Sequence, residues 1–384
     1  MVSRRCGGRS AGRAGCGSGL AAGGSGARGG QTNGHCRSLL PPRTGGGRNR
    51  QGGTRMSEGR VAFRAPGWLG DAVMATVIPM ALRRVYAEKD VTVLCTQGLG
   101  DLFRGLPVPC AVREFERGTE VDAYREGAFD RVLLGPDSFG SAWRAFRGGV
   151  ARRGGFATAR RGLLLTDRLA CARWRRDRHQ VENYRELGDL WGETHPTDEP
   201  RIVPRGEWVE AAAGLWPKTG PPRVALQPGA SYGPAKRWPA ERYAALVNAL
   251  LDRGRDVALV GGPADHAISE EVLSGVSGTV TNLTGKTTVG TLAAILHSAD
   301  TLVTNDTGPM HLCAAVGTPV VAIFGSTSPL WTGPRGEGHR IVQERLSCAP
   351  CFRRACRIGY GCLLGIAVER VLADVETILN RGSA

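Results

Sequence analysis

Asn305, Asp306, Thr307 and Gly308 form the densest run of groups in this chain that could hold a phosphate or a sugar. They follow an apolar, β-branched run (Leu302, Val303) and precede Pro309, which opens a small-residue stretch containing Met310 and His311 and ending at Gly317. Proline just inside a helix start and glycine just past its end mark a short α-helix. Its unpaired N–H groups and positive end favour an anion. The competing reading is that Asp306 and Thr307 only cap the helix. A second polar loop runs from Pro228 to Pro239 and carries Ser231 and the cation Lys236. Thr284-Gly285-Lys286-Thr287 is a third. In the loop Ala65 to Asp71, Asp71 is either a first-turn carboxylate stabilising a helix or a general base for a substrate hydroxyl. Four late cysteines, Cys348, Cys351, Cys356 and Cys362, are spaced C-x2-C-x4-C-x5-C. Four thiolates can hold Zn or an iron–sulfur cluster, but these gaps suit neither common pattern closely, and free or redox-labile thiols are the favoured reading.

These loops need elements to aim them. Leu302 to Phe324 reads as strand, loop, helix and strand, one βαβ unit. Upstream, the stretch Pro222–Ala230, a strand ending in a Gly loop, and strands at Val257–Val260 and Thr279–Leu283 alternate with helices at Ala240–Arg253 and Val289–Ser298. This alternation predicts a doubly wound parallel sheet with the Gly-rich loops gathered at one edge. Closer to the start, Gly59–Arg64 and Val91–Cys95 are strands, with a helix from about Ala72 to Tyr86 that Pro79 should kink or restart. Phe129–Leu134 is another strand, Ser138–Phe146 a helix and Leu163–Thr166 strand-like. The Arg-rich stretch Arg144 to Arg178 is a solvated surface or a loop that closes over an anionic acceptor. A helix then runs from His179 to about Trp191. The expected division is 56–205 for a first Rossmann-like domain, 206–220 for a linker, 221–365 for a second domain holding the Cys cluster, and 366–384 for a terminal helix crossing back to the first.

Residues 1–55 contain ten Arg, no Lys and no acid, with seventeen of the 56 Gly. Such a segment buries too little apolar surface to offset its chain entropy and is expected to be disordered and outside the fold. From Met56 onward, 40 Lys plus Arg face 35 Asp plus Glu, a mild excess that suits an anionic ligand or membrane surface and does not argue for nucleic acid. No apolar run is long enough to span a bilayer. No G-x-G-x-x-G followed by a distant acid and no G-x-x-x-x-G-K-[ST] is present, which argues against a dinucleotide oxidoreductase and a P-loop ATPase.

Four segments, RAPGWLGDAVMAT, QPGASYGPAKRWP, NLTGKTTVGTLAAIL and TNDTGPMHLCAAVGTPVVAIFGSTSP, resemble glycosyltransferase family 9, the ADP-heptose:lipopolysaccharide heptosyltransferases. The resemblance implies an α/β GT-B fold, two Rossmann-like domains across a cleft, with acceptor on the first and ADP-sugar on the second. It implies an inverting heptose transfer to an inner-core heptose of a lipid A-core glycolipid, in the cytoplasm at the inner membrane face. No cofactor is required, although Mg is compatible. Asp71 matches the family's proposed general base and Lys236 its phosphate-contacting lysine. Ser231, Thr287, Asp306, Thr307, Gly308, Pro309, Met310 and His311 match the donor site. On this basis Asp306 is expected to accept hydrogen bonds from sugar hydroxyls, and His311 to donate to phosphate or to pack inside its helix. Tyr360 stands where a branch of the family has His, so a metal role for that position is in doubt; Thr287 replaces an apolar residue facing adenine. A relative using another sugar nucleotide or acceptor, and a non-catalytic nucleotide-sugar-binding protein, are the alternatives.

Overall fold

A computed structural model describes residues 59–170 and 176–381. The tail expected to be disordered lies outside them, as do Cys171, Arg173 and Arg175. The first lobe begins with β1 (Val61–Arg64), α1 (Leu69–Met74), α2 (Val77–Arg83), β2 (Val91–Thr96), α3 (Gly100–Arg104) and β3 (Ala111–Phe115). It continues with α4 (Glu120–Gly127), β4 (Arg131–Leu134), α5 (Phe139–Arg147), β5 (Arg152–Phe156), β6 (Asp167–Leu169) and α6 (Gln180–Gly188). The second lobe opens with α7 (Gly206–Leu215), β7 (Arg223–Gln227), α8 (Ala240–Leu251), β8 (Asp256–Leu259), α9 (His266–Ser274), β9 (Thr281–Asn282) and α10 (Val289–Ser298). It ends with β10 (Thr301–Asn305), α11 (Gly308–Ala315), β11 (Val320–Phe324), α12 (Pro329–Thr332), β12 (Arg340–Gln343), α13 (Gly361–Leu364) and α14 (Val368–Arg381).

Each lobe is one parallel sheet of six strands. The orders are β3-β2-β1-β4-β5-β6 and β9-β8-β7-β10-β11-β12. Counted within its own lobe, each is the order 3-2-1-4-5-6 of the doubly wound fold, in which the strand direction of travel reverses between strands 1 and 4. The central strands are buried along their whole length, as parallel strands covered on both faces must be: Val61 to Arg64 and Val320 to Phe324 have no exposed residue. One apolar core runs through both lobes, from Phe63, Val73 and Phe103 to Trp208, Leu292 and Phe324. Separate cores fill the far face of each sheet.

The two lobes meet where α1 packs on α11. A Cβ added to Gly70 would lie 2.9 Å from His311 Cδ2, and one added to Gly308 would lie 2.8 Å from Leu69 Cβ. These two glycines let the backbones of the facing helices approach. Ile202 N also donates to Ala315 O at 2.9 Å.

Several expectations change. The helix expected through Pro79 is two helices, parted at Ala75-Thr76, with Pro79 in the first turn of α2, where its missing N–H costs nothing. Leu163–Thr166 is not a strand: Arg161–Leu164 form a 3₁₀ turn and the strand β6 follows it. The stretch 206–220 is not simply a linker, because Gly206–Leu215 form a helix that packs on α10 with Trp208 and Ala212 buried. The terminal helix does not cross back. Val371, Val375, Ile378 and Leu379 of α14 sit in the core of the second lobe, and Glu376 pairs with Arg255 at 2.6 Å.

Candidate functional site

In open α/β sheets, ligands bind outside the carboxyl ends of the strands where the order reverses. In the first lobe that point lies between β1 and β4. The loops leaving these two strands bound a pocket of about 250 Å³, lined among others by Arg64, Trp68, Asp71, Asp137, Ser138 and Tyr184. Asp71 stands in the first turn of α1, half-buried, with Trp68 at the cap position making no side-chain cap. The positive helix end therefore adds to whatever else holds the carboxylate. Arg64 ends β1 and is buried at the pocket wall. Its Nε donates to Glu120 Oε1 at 3.0 Å, and its guanidinium covers the Phe115 ring at 4.8 Å. Glu120, 3% exposed, also accepts from Arg144 Nε at 2.7 Å and from the Tyr124 hydroxyl at 3.2 Å. Two cations thus share one buried carboxylate, while Asp71 and Asp137 line the pocket itself beside Arg64.

The matching point of the second lobe lies between β7 and β10, and the loops after those strands carry Lys236 and Asp306. Lys236, on a 3₁₀ turn begun by Pro234, donates through Nζ to Asp306 Oδ2 at 2.6 Å and to Asp306 O at 3.2 Å. The Tyr232 ring lies 4.9 Å from the ammonium. Asp306 is 3% exposed, and its Oδ2 also accepts from Thr327 Oγ1 at 2.6 Å and Thr332 Oγ1 at 3.2 Å. An ammonium has three donors. Two of them are spent on Asp306, which leaves one for a ligand oxygen. The Asp306 carboxylate, expected to face sugar hydroxyls, has Oδ2 committed to protein donors.

Thr307 occupies the cap position of α11 without capping it. Its Oγ1 donates instead to Gln227 Oε1 at 2.9 Å, an oxygen that also accepts from Thr304 Oγ1 at 3.0 Å. Pro309 has no N–H, so Gly308 and Met310 alone supply backbone donors there; the Met310 side chain is fully buried in the core. His311 is packed against Gly70 at the lobe contact, 6% exposed. Burial pushes its pKa down to about 4, with Asp306 pulling up and His179 and Lys236 pushing further down. It is a neutral imidazole, a donor through one N–H and not a cation. His179 begins α6 and contacts the second lobe through Gly333 O at 2.9 Å; burial lowers its pKa as well. Ser231 is exposed on the loop after β7, and Thr287 is half-buried beside Thr288, which caps α10 by accepting from Thr291 N at 3.1 Å.

The cysteines are only partly gathered. Cys348 and Cys351 are exposed and Cys362 is buried. Cys356 Sγ accepts from Ile358 N at 3.4 Å and Tyr360 N at 3.3 Å, and these bonds lower its pKa. Burial raises that of Cys362, and the charges of the other three reach it. Among the described residues, no group of three or more His, Cys, Asp or Glu is arranged to hold a metal ion.

Two contributors, Gln227 and Arg64, escaped the sequence reading, and Asn305, read there as part of the ligand loop, has a different task. Asn305 is fully buried and ties the two ligand loops together: Oδ1 accepts from Trp238 N at 3.0 Å, and Nδ2 donates to Pro228 O at 2.9 Å and Gly229 O at 3.1 Å. Gln227 supports Thr307. Arg64 is an arginine in the otherwise apolar strand VAFR, and that contrast was the available signal.

Residues 121–360 match the family described as Glycosyltransferase family 9 (heptosyltransferase). Lipopolysaccharide heptosyltransferase 2 of Escherichia coli (strain K12) is 27% identical over 350 residues, which cover 85% of this chain and 100% of that one. Lipooligosaccharide heptosyltransferase 2 of Haemophilus influenzae (strain ATCC 51907 / DSM 11121 / KW20 / Rd) is 27% identical over 312 residues, 74% of this chain and 88% of the relative. Among solved structures, E. coli ADP-heptose lps heptosyltransferase II aligns with a TM-score of 0.74 at 25% identity, covering 85% of this chain and 100% of that one. The two facing Rossmann-like lobes are the GT-B fold.

Proposed function

The chain belongs to glycosyltransferase family 9 and is a glycosyltransferase, and from that premise we propose that it transfers heptose, with inversion, from ADP-L-glycero-D-manno-heptose to an inner-core heptose of lipopolysaccharide. The specific reading, a heptosyltransferase II, is supported by relatives of that name along nearly their full length. The observation that carries the mechanism is that a carboxylate and a cation occupy the two strand-order reversals, Asp71 in the first lobe and Lys236 in the second.

The acceptor sugar enters the pocket of the first lobe, beside Asp71. Asp71 takes the proton from the acceptor hydroxyl as its oxygen attacks the anomeric carbon on the face opposite the diphosphate. The bond from that carbon to the diphosphate oxygen breaks and its electron pair leaves with ADP. The remaining Lys236 donor and the N–H groups of Gly308 and Met310 meet the charge that grows on the leaving group, as donors fixed in advance do in an oxyanion hole. Asp306 orients Lys236, and its Oδ1 accepts from a donor hydroxyl. The acceptor is a glycolipid, so the enzyme works as a peripheral protein at the cytoplasmic face of the inner membrane; among the described residues, no helix is long and apolar enough to cross a membrane.

The experiment is transfer from ADP-heptose to a heptose-terminated core acceptor by wild type and Asp71→Asn. A loss of about 10²–10⁴ in kcat with unchanged ADP affinity is expected for removal of a general base. Undiminished turnover in Asp71→Asn removes Asp71 from that role, and wild-type turnover with a different sugar nucleotide but not with ADP-heptose replaces the donor.

A further inference from the structure

Among the described residues, one face of α5 is left largely exposed. Phe139, Trp143 and Phe146 recur at i, i+4 and i+7, which places them on one side of the helix. They are 48%, 42% and 47% exposed. The rings contact each other in series, with centroids 6.4 Å apart from Phe139 to Trp143 and 5.7 Å from Trp143 to Phe146. The opposite side of the helix, Ser141, Ala142 and Ala145, is the buried one. Beside α5 packs the 3₁₀ turn Arg161–Leu164, whose Leu163 is 93% exposed.

Charge says what covers this face. Residues 138–166 contain six Arg and no Lys, Asp or Glu. Four of the six are used internally: Arg144 on Glu120, Arg152 on Asp167, Arg161 buried on the carbonyl of Phe156, and Arg153 on the carbonyls of Leu164 and Ala151. The other two are Arg147 and Arg160. Arg147 lies 6.0 Å from the centre of the Trp143 ring, and Arg153 lies 5.5 Å from that of Phe146. Aromatic rings bordered by arginines, without an acid among them, match the boundary layer of an anionic bilayer, where rings sit at headgroup depth and guanidinium groups meet phosphates. A protein partner of ordinary composition would ask for some acid or hydrogen-bonding complement here. Position agrees. The residue before Phe139 is Ser138, which lines the acceptor pocket, and Trp68 at that pocket is 66% exposed. We propose that the α5 face, Phe139, Trp143 and Phe146 with Arg147, docks the enzyme on anionic phospholipid so that the pocket of the first lobe opens at the membrane surface. This rests on the glycolipid-acceptor reading above and assigns it a surface.

The test is sedimentation of the full chain with vesicles of phosphatidylglycerol and phosphatidylethanolamine, against phosphatidylcholine alone, without donor or acceptor. Because residues 1–55 carry ten Arg of their own, the readout is the difference between variants. Phe139→Ser/Trp143→Ser/Phe146→Ser should bind phosphatidylglycerol vesicles about tenfold more weakly, and Arg147→Ala about fivefold more weakly. Both should melt at the wild-type temperature and turn over an acyl-free core oligosaccharide at the wild-type rate. Equal vesicle affinity of the triple variant and wild type overturns the proposal. So does wild-type binding that ignores lipid charge, or a wild-type dimer in vesicle-free solution that the triple variant abolishes, since a second copy would then cover the face. Failure of wild type to turn over the oligosaccharide counts against the proposed reaction and leaves the vesicle measurement intact.

Discussion

Acid should loosen the contact between the lobes through His311, and the size of the effect follows from its surroundings. The ring is packed where α11 meets Gly70 of α1, at the point of closest approach of the two helices. Its pKa is near 4 in the folded protein against an ordinary 6.5, chiefly because burial penalises the charged form. A histidine depressed in this way binds fewer protons folded than unfolded at intermediate pH, so stability rises with pH there. Its contribution is complete above about pH 6.5, is lost progressively as pH falls towards about 4, and changes no further below that. At about 1.36 kcal/mol per pH unit, the gap comes to about 3 kcal/mol. The assay is urea denaturation of wild type and His311→Gln at a series of pH values from about 7.5 down to about 4. His179 and the carboxylates whose pKa values are lowered, Asp167 and Asp198, also cost stability in acid. They do so in both proteins, and the comparison removes them. Wild type should lose about 3 kcal/mol more than His311→Gln over this window. Identical slopes would refute the reasoning, because the ring would then have to be hydrated, or protonated at no cost, in the native state.

Three other substitutions probe the frame and the donor loop. Glu120→Ala strands Arg64, Arg144 and the Tyr124 hydroxyl around a buried gap and should cost about 3–5 kcal/mol in urea denaturation. Gly308→Ala puts a methyl 2.8 Å from Leu69 Cβ and should cost about 1–3 kcal/mol, a loss partly recovered when Leu69→Gly removes that Cβ; absence of that recovery would show that the strain lies elsewhere. Lys236→Ala should weaken ADP binding by about tenfold to a hundredfold in calorimetry, the worth of one hydrogen bond from a charged group, and unchanged affinity would remove Lys236 from the diphosphate.

The order of elements in the second lobe could be read because each helix carries its own punctuation. Pro309 and Gly317 bracket α11, and Thr288 caps α10 with the Thr291 N–H. The helix α7 reads from the sequence as no more than a possible helical turn around Trp208 to Leu215, because Arg205, Gly206, Pro217 and the following Gly and Pro residues look like loop from either side. What holds it is Trp208 seated on Gly290, a contact across 82 positions that no local pattern displays. The terminal helix failed differently. Its apolar spacing was legible, but which lobe it covers depends on Trp238, Leu250 and Val342 also lacking cover. The same limit applies to the site. Asp71, Lys236 and the loop from Asp306 to Gly308 were legible as residue types at strand ends. Glu120 looked like an ordinary helix carboxylate until Arg64, from 56 positions earlier, was brought to it. Asn305 was visible as a polar residue, while its work of joining the loops after β7 and β10 exists only once the two strands are neighbours.

Strand pairing also explains why the two groups assigned to the proposed reaction come from opposite lobes. Each sheet reverses its strand order once, so each offers one crevice at its carboxyl edge. A single crevice would have to hold acceptor, sugar and diphosphate together, with a base and a cation competing for one another. Within the second lobe that competition is already visible, since Lys236 is held by Asp306 at 2.6 Å. The carboxylate assigned to the proton in the proposed reaction stands on another frame, α1 of the first lobe. The relation between base and leaving group is then set by the contact of α1 with α11. Gly70 and Gly308 permit that approach, and His311 fills it as a neutral ring. In the proposed reaction the chemistry therefore depends on how closely the lobes meet, and Gly308 serves both ends, since its missing side chain permits the approach while its N–H faces the departing phosphate.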